Sequence, residues 1–368
     1  MTLSPAETAA PPPAVSVVMA VHNGLPYLEQ ALRSILDQTL RDIEIIIVDD
    51  ASTDGTGDIL RRLAAEDARI RVMTNETNLR LPASLNRGLK SATAPLIARM
   101  DADDISLPTR LRVQKDFMDL HPEVVLLGAS IHTIDRQGKI LRTSVRGRDS
   151  VAVRWLARFN MPLTHPTFMF RRLMPNGSTQ YYSEEAGYAE DYDYVVRALQ
   201  HGEIFSLPDV LLSYRTHDIS ISRKNWREQQ QHARDIAMRL QACELPDEVF
   251  QALAPFRQSY YDLEPASPEK IFSGLRVMLS HDLKRFPSHR SWLKRQTAQL
   301  AATTFLRCGR QKGAILRAFL ESGRDFLPAL GLRYLETRRL LPLPLRADAS
   351  MQRQIASAGP AMPTASQQ

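Results

Sequence analysis

The chain has 368 residues, 43% of them hydrophobic, and a net charge of +6. That is enough apolar material for one large α/β domain and a smaller appendage, and it excludes wholesale disorder. The two cysteines, Cys243 and Cys308, show no metal-ligand spacing and read as ordinary buried or half-buried thiols, in keeping with a reducing compartment.

Residues 1–14 are rich in Ala and Pro and lack both a basic start and an apolar stretch. They read as a flexible tail rather than a signal peptide. No run reaches the ~18 apolar residues that a membrane span needs, so a cytoplasmic location is expected. From residue 15 to 100, short β-branched runs alternate with helical patterns, the mark of a parallel sheet flanked by helices. Val15–Val21 is an apolar strand before the turn His22-Asn23-Gly24, and Leu28, Leu32, Ile35 and Leu36 are spaced for one buried helical face. Ile43–Val48 is a second strand ending at Asp49-Asp50. Ser52, Thr53 and Asp54 offer capping chemistry for a helix through Ile59, Leu60 and Leu63. A strand at Ile70–Thr74, a helix at Pro82–Ser91 and a strand at Leu96–Met100 follow.

Beyond residue 100 the pattern changes. Pro108 can start a helix carrying Leu111, Phe117 and Leu120. Val124–Gly128 and Lys139–Val145 read as strands, the latter after a turn around Arg136-Gln137-Gly138. Strand-like runs recur at 166–171 and 203–214, with a helix at Asp191–Gln200 between them that turns Tyr194, Val195 and Ala198 inward. From Trp226 the chain is helical with proline breaks, and residues 347–368 read as a disordered tail. The expected organisation is a tail at 1–14, an α/β domain at 15–225, a basic helical region at 226–346 and a tail at 347–368.

Two acidic clusters fall at strand ends, where open α/β sheets bind their ligands. Asp49-Asp50 follows Ile45-Ile46-Ile47-Val48, and Asp101-Ala102-Asp103-Asp104 follows Ile97-Ala98-Arg99-Met100. Carboxylates packed so closely repel one another unless a cation, a donor or a proton compensates. Hard divalent cations such as Mg²⁺ or Mn²⁺ take such oxygen ligands and share them with phosphates. The plainer alternative is a solvated acidic loop.

The motifs occur in the order found in the inverting glycosyltransferases of family 2, and the sequence resembles that family over roughly residues 14–222. The resemblance rests on Val15 to Gly24, Ile47-Val48-Asp49-Asp50-Ala51-Ser52-Thr53-Asp54-Gly55-Thr56, Asn78 to Asn86, Met100-Asp101-Ala102-Asp103-Asp104, Glu190-Asp191-Tyr192-Asp193 and Tyr214-Arg215-Thr216-His217. It implies the GT-A fold, an α/β nucleotide-binding mixed sheet flanked by helices, here with a helical C-terminal extension. It also implies a nucleotide-sugar donor, a divalent metal (Mn²⁺ or Mg²⁺) and a saccharide or lipid-linked saccharide acceptor.

The resemblance further implies roles for individual residues. Ala20, His22, Asn23 and Asp50 hold the base, with Asp50 accepting from the ring imide, and Arg80 lies near the base or diphosphate. Asp101 faces the ribose or sugar, Asp103 ligates the metal, and Asp104 lies by the donor sugar or supports the metal shell. Asp191 is the general base on the acceptor side, and Glu190 beside it can raise its pKa by repulsion. The structural alternative for Asp191 is a helix N-cap. His217 can ligate the metal or contact a phosphate, and His165 falls in a segment that lines the acceptor side. Three positions depart from the family pattern: His22 replaces a frequent Tyr, Ala51 a common Gly, and Arg80 the Gly usual two residues after Asn78.

Other functions fit less well. A dinucleotide-dependent oxidoreductase needs G-x-G-x-x-G after the first strand, whereas this loop has one glycine. A phospho-receiver module would be complete near ~120 residues. A non-catalytic sugar-nucleotide-binding subunit is opposed by the presence of Asp50, Asp103 and Asp191 together. Residues 271–346 hold 15 Lys/Arg and 4 Asp/Glu, leaving the rest of the chain mildly acidic. Within this region Ile271, Leu275, Met278, Leu279 and Leu283 form an apolar stripe beside Arg276, Lys284 and Arg285. It reads either as an interfacial helix making peripheral contact with anionic lipid or as a helical cap with a solvated basic face. Nucleic acid is not an expected partner, since no stacking aromatics accompany the charge.

Overall fold

A computed structural model describes residues 12–216, 226–261 and 267–308. The expected tails fall outside these residues except for 12–14, where the Ala14 N–H bonds the Asp42 carbonyl. Two compact units are present, the first ending at Ala233 and the second beginning at Arg234.

The first unit is built on a nine-stranded mixed sheet. Its strands are β1 (Val15–Val21), β2 (Ile43–Asp49), β3 (Ile70–Thr74), β4 (Leu96–Met100), β5 (Ile105–Ser106), β6 (Val124–Ile134), β7 (Ile140–Ser144), β8 (Met169–Arg171) and β9 (Glu203–Arg215). The order is β3-β2-β1-β4-β8-β6-β9-β5, with β7 hydrogen-bonded to β6 alone. Strands β3, β2, β1 and β4 are parallel, whereas β8 runs antiparallel to both β4 and β6. Strands β1, β2 and β4 are buried on both faces, which is why β1 and β2 read as near-continuous apolar runs, whereas the edge strand β3 is partly exposed.

Six helices complete the unit up to residue 216: α1 (Leu28–Leu36), α2 (Thr56–Glu66), α3 (Arg80–Ser91), α4 (Arg110–Leu120), α5 (Ser150–Ala157) and α6 (Glu190–Ala198). Helix α1 buries Leu28, Ala31, Leu32 and Ile35, while Leu36 is only half-buried. Helix α3 lies so close to the sheet that a Cβ on Gly88 would stand 2.6 Å from Val18 Cγ1. Only glycine permits that approach.

The register places the site. Val21 pairs with Asp49 across β1 and β2, and Met19 pairs with Met100 across β1 and β4. The carboxyl ends of three strands therefore share one rim, from which His22, Asp50 and Asp101 emerge.

Several expectations are corrected by tertiary pairing. Strand β6 continues past Gly128 to Ile134 because β9 and β7 flank its polar second half. The 166–171 run splits into a single 3-10 turn at His165–Thr167 and the short β8, since Pro166 has no N–H for the ladder. Helix α3 begins at Arg80, two residues before Pro82. The cap of α2 is Gly55, at φ 90°, and not Ser52, Thr53 or Asp54. Those side chains are used between loops: Ser52 Oγ accepts from the Asn23 N–H, Asn23 Oδ1 accepts from the Thr53 N–H, and Asp54 accepts from Leu25 and Thr56.

The second unit contains α8 (Asp247–Ala252), α9 (Ala254–Tyr261), α10 (Pro268–Arg285), α11 (Arg290–Cys308) and most of α7 (Trp226–Glu244). The apolar stripe on α10 is its core contact: Ile271, Leu275, Met278 and Leu279 are buried. Cys243 is exposed on α7, contrary to the expectation of a buried or half-buried thiol. Among the described residues no helix is long and apolar enough to cross a membrane.

Two of the three departures from the family pattern fall on strained backbone. Ala51 has φ 58° and Arg80 φ 69°, where a glycine carries no Cβ penalty. We expect Ala51→Gly to raise unfolding free energy by about 0.5–1 kcal/mol, the relief of left-handed strain exceeding the added chain entropy. Denaturant titration measures this; a loss of stability would show the strain to be absent.

Candidate active site

Two groups of the predicted residues gather along the rim. The first lies where β1 and β2 end. His22 Nδ1 is 2.8 Å from the Asp50 carbonyl, so this nitrogen is the protonated donor and the ring orientation is fixed. Asp50 is buried, and its Oδ1 accepts from Asn75 Nδ2 at 2.7 Å and from the Leu79 N–H at 2.8 Å. Its second oxygen makes no hydrogen bond with the described residues. Ala20 is half-buried at the end of β1, Asn23 is exposed beside His22, and Arg80 is exposed with its N–H on Asn78 Oδ1.

The second group follows β4. Carboxylate oxygens of Asp101, Asp103 and Asp104 lie within 4.8 Å of one another. Asp104 is buried, its Oδ1 accepts from the Arg215 N–H at 2.8 Å, and its buried Oδ2 has no hydrogen-bond partner among the described residues. An orphaned buried oxygen beside two further carboxylates suits a hard divalent cation, which takes oxygen ligands and supplies the missing positive charge. Burial, followed by the charges of Asp101 and Asp103, raises the Asp104 pKa well above the usual carboxylate range. Asp101 is raised chiefly by burial, against the opposing pull of Arg99.

Glu190 and Asp191 lie in the first turn of α6. The N-cap position is Ala189, so Asp191 is not the cap; its Oδ1 accepts from the Tyr192 N–H at 2.7 Å. Burial and then the Asp191 charge push Glu190 up to about 8. Asp191 is raised by burial, with the Tyr192 N–H and the Arg99 charge holding it down. The Asp101 charge is felt at both residues, which links α6 to the cluster after β4.

Arg99 lies between these sets. It is 3% exposed, and its Nη1 pairs with Asp101 Oδ2. Arg110 is fully buried behind the same cluster, its guanidinium bonding the Arg99 carbonyl at 2.7 Å and Gln114 at 3.0 Å; burial lowers its pKa to about 9. His165 is buried, with Nε2 2.9 Å from the Tyr182 hydroxyl, and burial followed by Arg99 keeps it neutral. Tyr182 is clamped through its backbone by Asn86, which accepts from its N–H at 2.7 Å and donates to its carbonyl at 2.9 Å. His217 lies outside the described residues.

The sequence resemblance now has independent support. The family model for glycosyl transferase family 2 matches residues 16–175. The putative glycosyltransferase EpsE of Bacillus subtilis is 34% identical over 220 residues, which cover 58% of this chain and 77% of that one. The amylovoran biosynthesis glycosyltransferase AmsE of Erwinia amylovora is 35% identical over 208 residues, covering 54% and 74%. The chain belongs to glycosyltransferase family 2. Its fold is similar to that of S. aureus TarS residues 1–349 in complex with UDP-GlcNAc, with a TM-score of 0.55 at 17% identity over 88% of this chain and 92% of that one. The GT-A architecture is thereby shown.

For a family member, the residues that sequence reasoning passed over are Arg99, Arg110 and Tyr182. Arg99 left a signal, since it interrupts the otherwise apolar run Leu96–Met100. Arg110 and Tyr182 left none, because their neighbours come from distant parts of the chain. The raised Glu190 pKa has a measurable consequence. The folded chain retains this proton to about pH 8, whereas the unfolded chain loses it near 4.5. The contribution of Glu190 to stability therefore declines as pH rises through that window and levels off above it. We expect Glu190→Gln to gain stability relative to the parent between pH 5 and pH 8.5, as read by thermal melts in chelator. A constant difference across that range would place the Glu190 pKa near its ordinary value.

Proposed function

We propose that the chain catalyses inverting transfer of a sugar from a UDP-sugar to an acceptor hydroxyl in the assembly of a polysaccharide or glycolipid. The observation that carries this reading is the meeting, around Arg99, of the carboxylates after β4 with the Glu190–Asp191 pair. The relatives add weight to the biosynthetic context, since AmsE is named for amylovoran biosynthesis.

In this reading the base lies along Ala20, His22 and Asn23, and the open oxygen of Asp50 accepts the imide N–H. Arg80 sits at the lip, near the diphosphate. Asp101 contacts the ribose or sugar. Asp103 holds a Mn²⁺ or Mg²⁺ ion with support from Asp104, and His217 is a further candidate ligand. When bound, the ion offsets the charge that develops on the departing nucleoside diphosphate.

Asp191 is the proposed base. The acceptor oxygen forms its bond to the anomeric carbon on the face opposite the leaving diphosphate, whose own bond to that carbon breaks. The hydroxyl proton passes to Asp191. Burial brings the carboxylate nearer to the basicity that proton abstraction needs, while the Tyr192 N–H and the Arg99 charge oppose that rise. His165, neutral and tied to Tyr182, shapes the acceptor side without taking a proton. Exposed cations on α10 and α11, including Arg276, Lys284, Arg285 and Arg290, allow peripheral contact with an anionic surface.

Asp191→Asn is expected to lower transfer at least ~10³-fold, within the range of general-base catalysis, while the Kd for UDP changes less than about threefold. Radiolabel transfer and calorimetry measure the two. Full transfer by this variant would remove Asp191 as the base, and UDP binding without transfer by the parent would favour a binding subunit. For the metal, Asp103→Asn and chelation are each expected to weaken donor-sugar binding by tenfold or more, a loss of about 1.4 kcal/mol. Undiminished turnover in chelator would remove the cation from the reaction.

A further inference from the structure

The β6–β7 hairpin displays exposed aliphatic side chains and cations side by side. Ile140, Leu141 and Val145 are 52%, 58% and 42% exposed. No other six-residue stretch among the described residues holds three exposed large apolar side chains. Every residue from Lys139 to Thr143 is exposed, so both faces of β7, an edge strand paired only to β6, meet solvent. Residues 136–148 contain Arg136, Lys139, Arg142, Arg146 and Arg148 and no Asp or Glu. The cations crowd one another: after burial, the Arg142 charge further depresses Arg146, and the Arg146 charge depresses Arg148.

An edge strand that buries none of its apolar residues gains nothing from them in folding. Charges on an edge strand commonly guard it against pairing with other chains, but guarding needs no row of exposed aliphatics. Interleaved cations and aliphatics match the boundary layer of an anionic bilayer, where aliphatic groups enter and Lys or Arg heads stay with the phosphates. A second copy fits poorly, because edge-to-edge pairing of two β7 strands would bring Arg142 and the flanking Lys139 and Arg146 of one copy against those of the other. Nucleic acid fits poorly too, since the stretch has no aromatic side chain to stack on bases. The stripe on α10 is not a rival lipid-inserting face, because Ile271, Leu275, Met278 and Leu279 are buried in their own unit.

We propose that the β6–β7 hairpin docks the chain on an anionic lipid surface, with Ile140 and Leu141 entering the headgroup layer and Lys139 and Arg142 pairing with lipid phosphates. The hairpin is coupled to the rim. Arg215 donates to the Asp135 and Arg136 carbonyls of the β6–β7 turn at 3.0 and 2.9 Å and to the Asp103 carbonyl at 2.8 Å. Docking would thus hold the acidic cluster near the membrane. The surface is defined without reference to turnover, so it stands or falls separately from the proposed transfer.

The test is co-sedimentation of the full chain with phosphatidylcholine vesicles, with and without about 30% phosphatidylglycerol, at low and high salt. The parent is expected to bind only the anionic vesicles and to be released by salt. Lys139→Ser/Arg142→Ser is expected to weaken binding roughly 30-fold, from the usual worth of two interfacial cations. Ile140→Ser/Leu141→Ser is expected to weaken it at least about tenfold. Both pairs are solvent-exposed, so melting temperatures should match the parent, and Arg276→Ser/Lys284→Ser on α10 should have the smaller effect. In a gain-of-signal version, the emission of Leu141→Trp shifts to the blue on adding anionic vesicles. Failure of the parent to bind, parent-like binding by both hairpin variants, or an unshifted Leu141→Trp signal would each overturn the proposal. So would a parent dimer that the hairpin variants turn into monomer with vesicle binding unchanged, which would assign the hairpin to a second copy.

Discussion

The organisation of the first unit depends on an imbalance of buried charge around Arg99. Five carboxyl groups, those of Asp101, Asp103, Asp104, Glu190 and Asp191, share the region with two buried guanidinium groups, Arg99 and Arg110. Arg215, nearby, spends its guanidinium on backbone carbonyls and Gln30. Such a site can persist only if some carboxyls keep protons or a cation joins them. The first is seen in the raised pKa values of Glu190 and Asp104, and Asp104 Oδ2, buried with no hydrogen-bond partner among the described residues, suits the second.

The sheet supplies this arrangement cheaply. Parallel pairing of β1, β2 and β4 brings three strand ends to one rim, and the antiparallel β8 extends the sheet toward β6 and β9. Asn86 ties α3 to the segment at Tyr182, which in turn holds His165. The loops that bracket the first cluster are laced by short polar side chains, Asn23 to Ser52 and Thr53, where helix capping alone would leave them independent. The backbone at Ala51 and Arg80 carries positive φ for the same reason: the loops must turn sharply to put Asp50 and the Asn78 segment together.

The two units treat apolar surface differently. On α10 the apolar stripe that could have faced lipid is consumed by packing, which leaves the basic residues as a solvated outer face. In the first unit, β7 pairs only with β6 and leaves its aliphatic residues in water. An amphipathic pattern in a sequence is thus ambiguous between core and surface, and only its neighbours decide which it is.

The sequence by itself determined the parallel half of the sheet, the rim and the identities of the carboxylates. These follow from local runs such as Ile45 to Val48 and from acids placed directly at strand ends, which nearest-neighbour chemistry reveals. It also showed Asp191 near a helix start, though not that Ala189 takes the cap. Tertiary structure alone decided the rest. The full length of β6, the loop-lacing use of Ser52 and Thr53, and the burial of Arg110 and Tyr182 beside residues far along the chain all arise from long-range pairing. Periodicity reports which face of an element is apolar, but not which distant group satisfies a buried charge, because that partner is fixed only once the chain has folded.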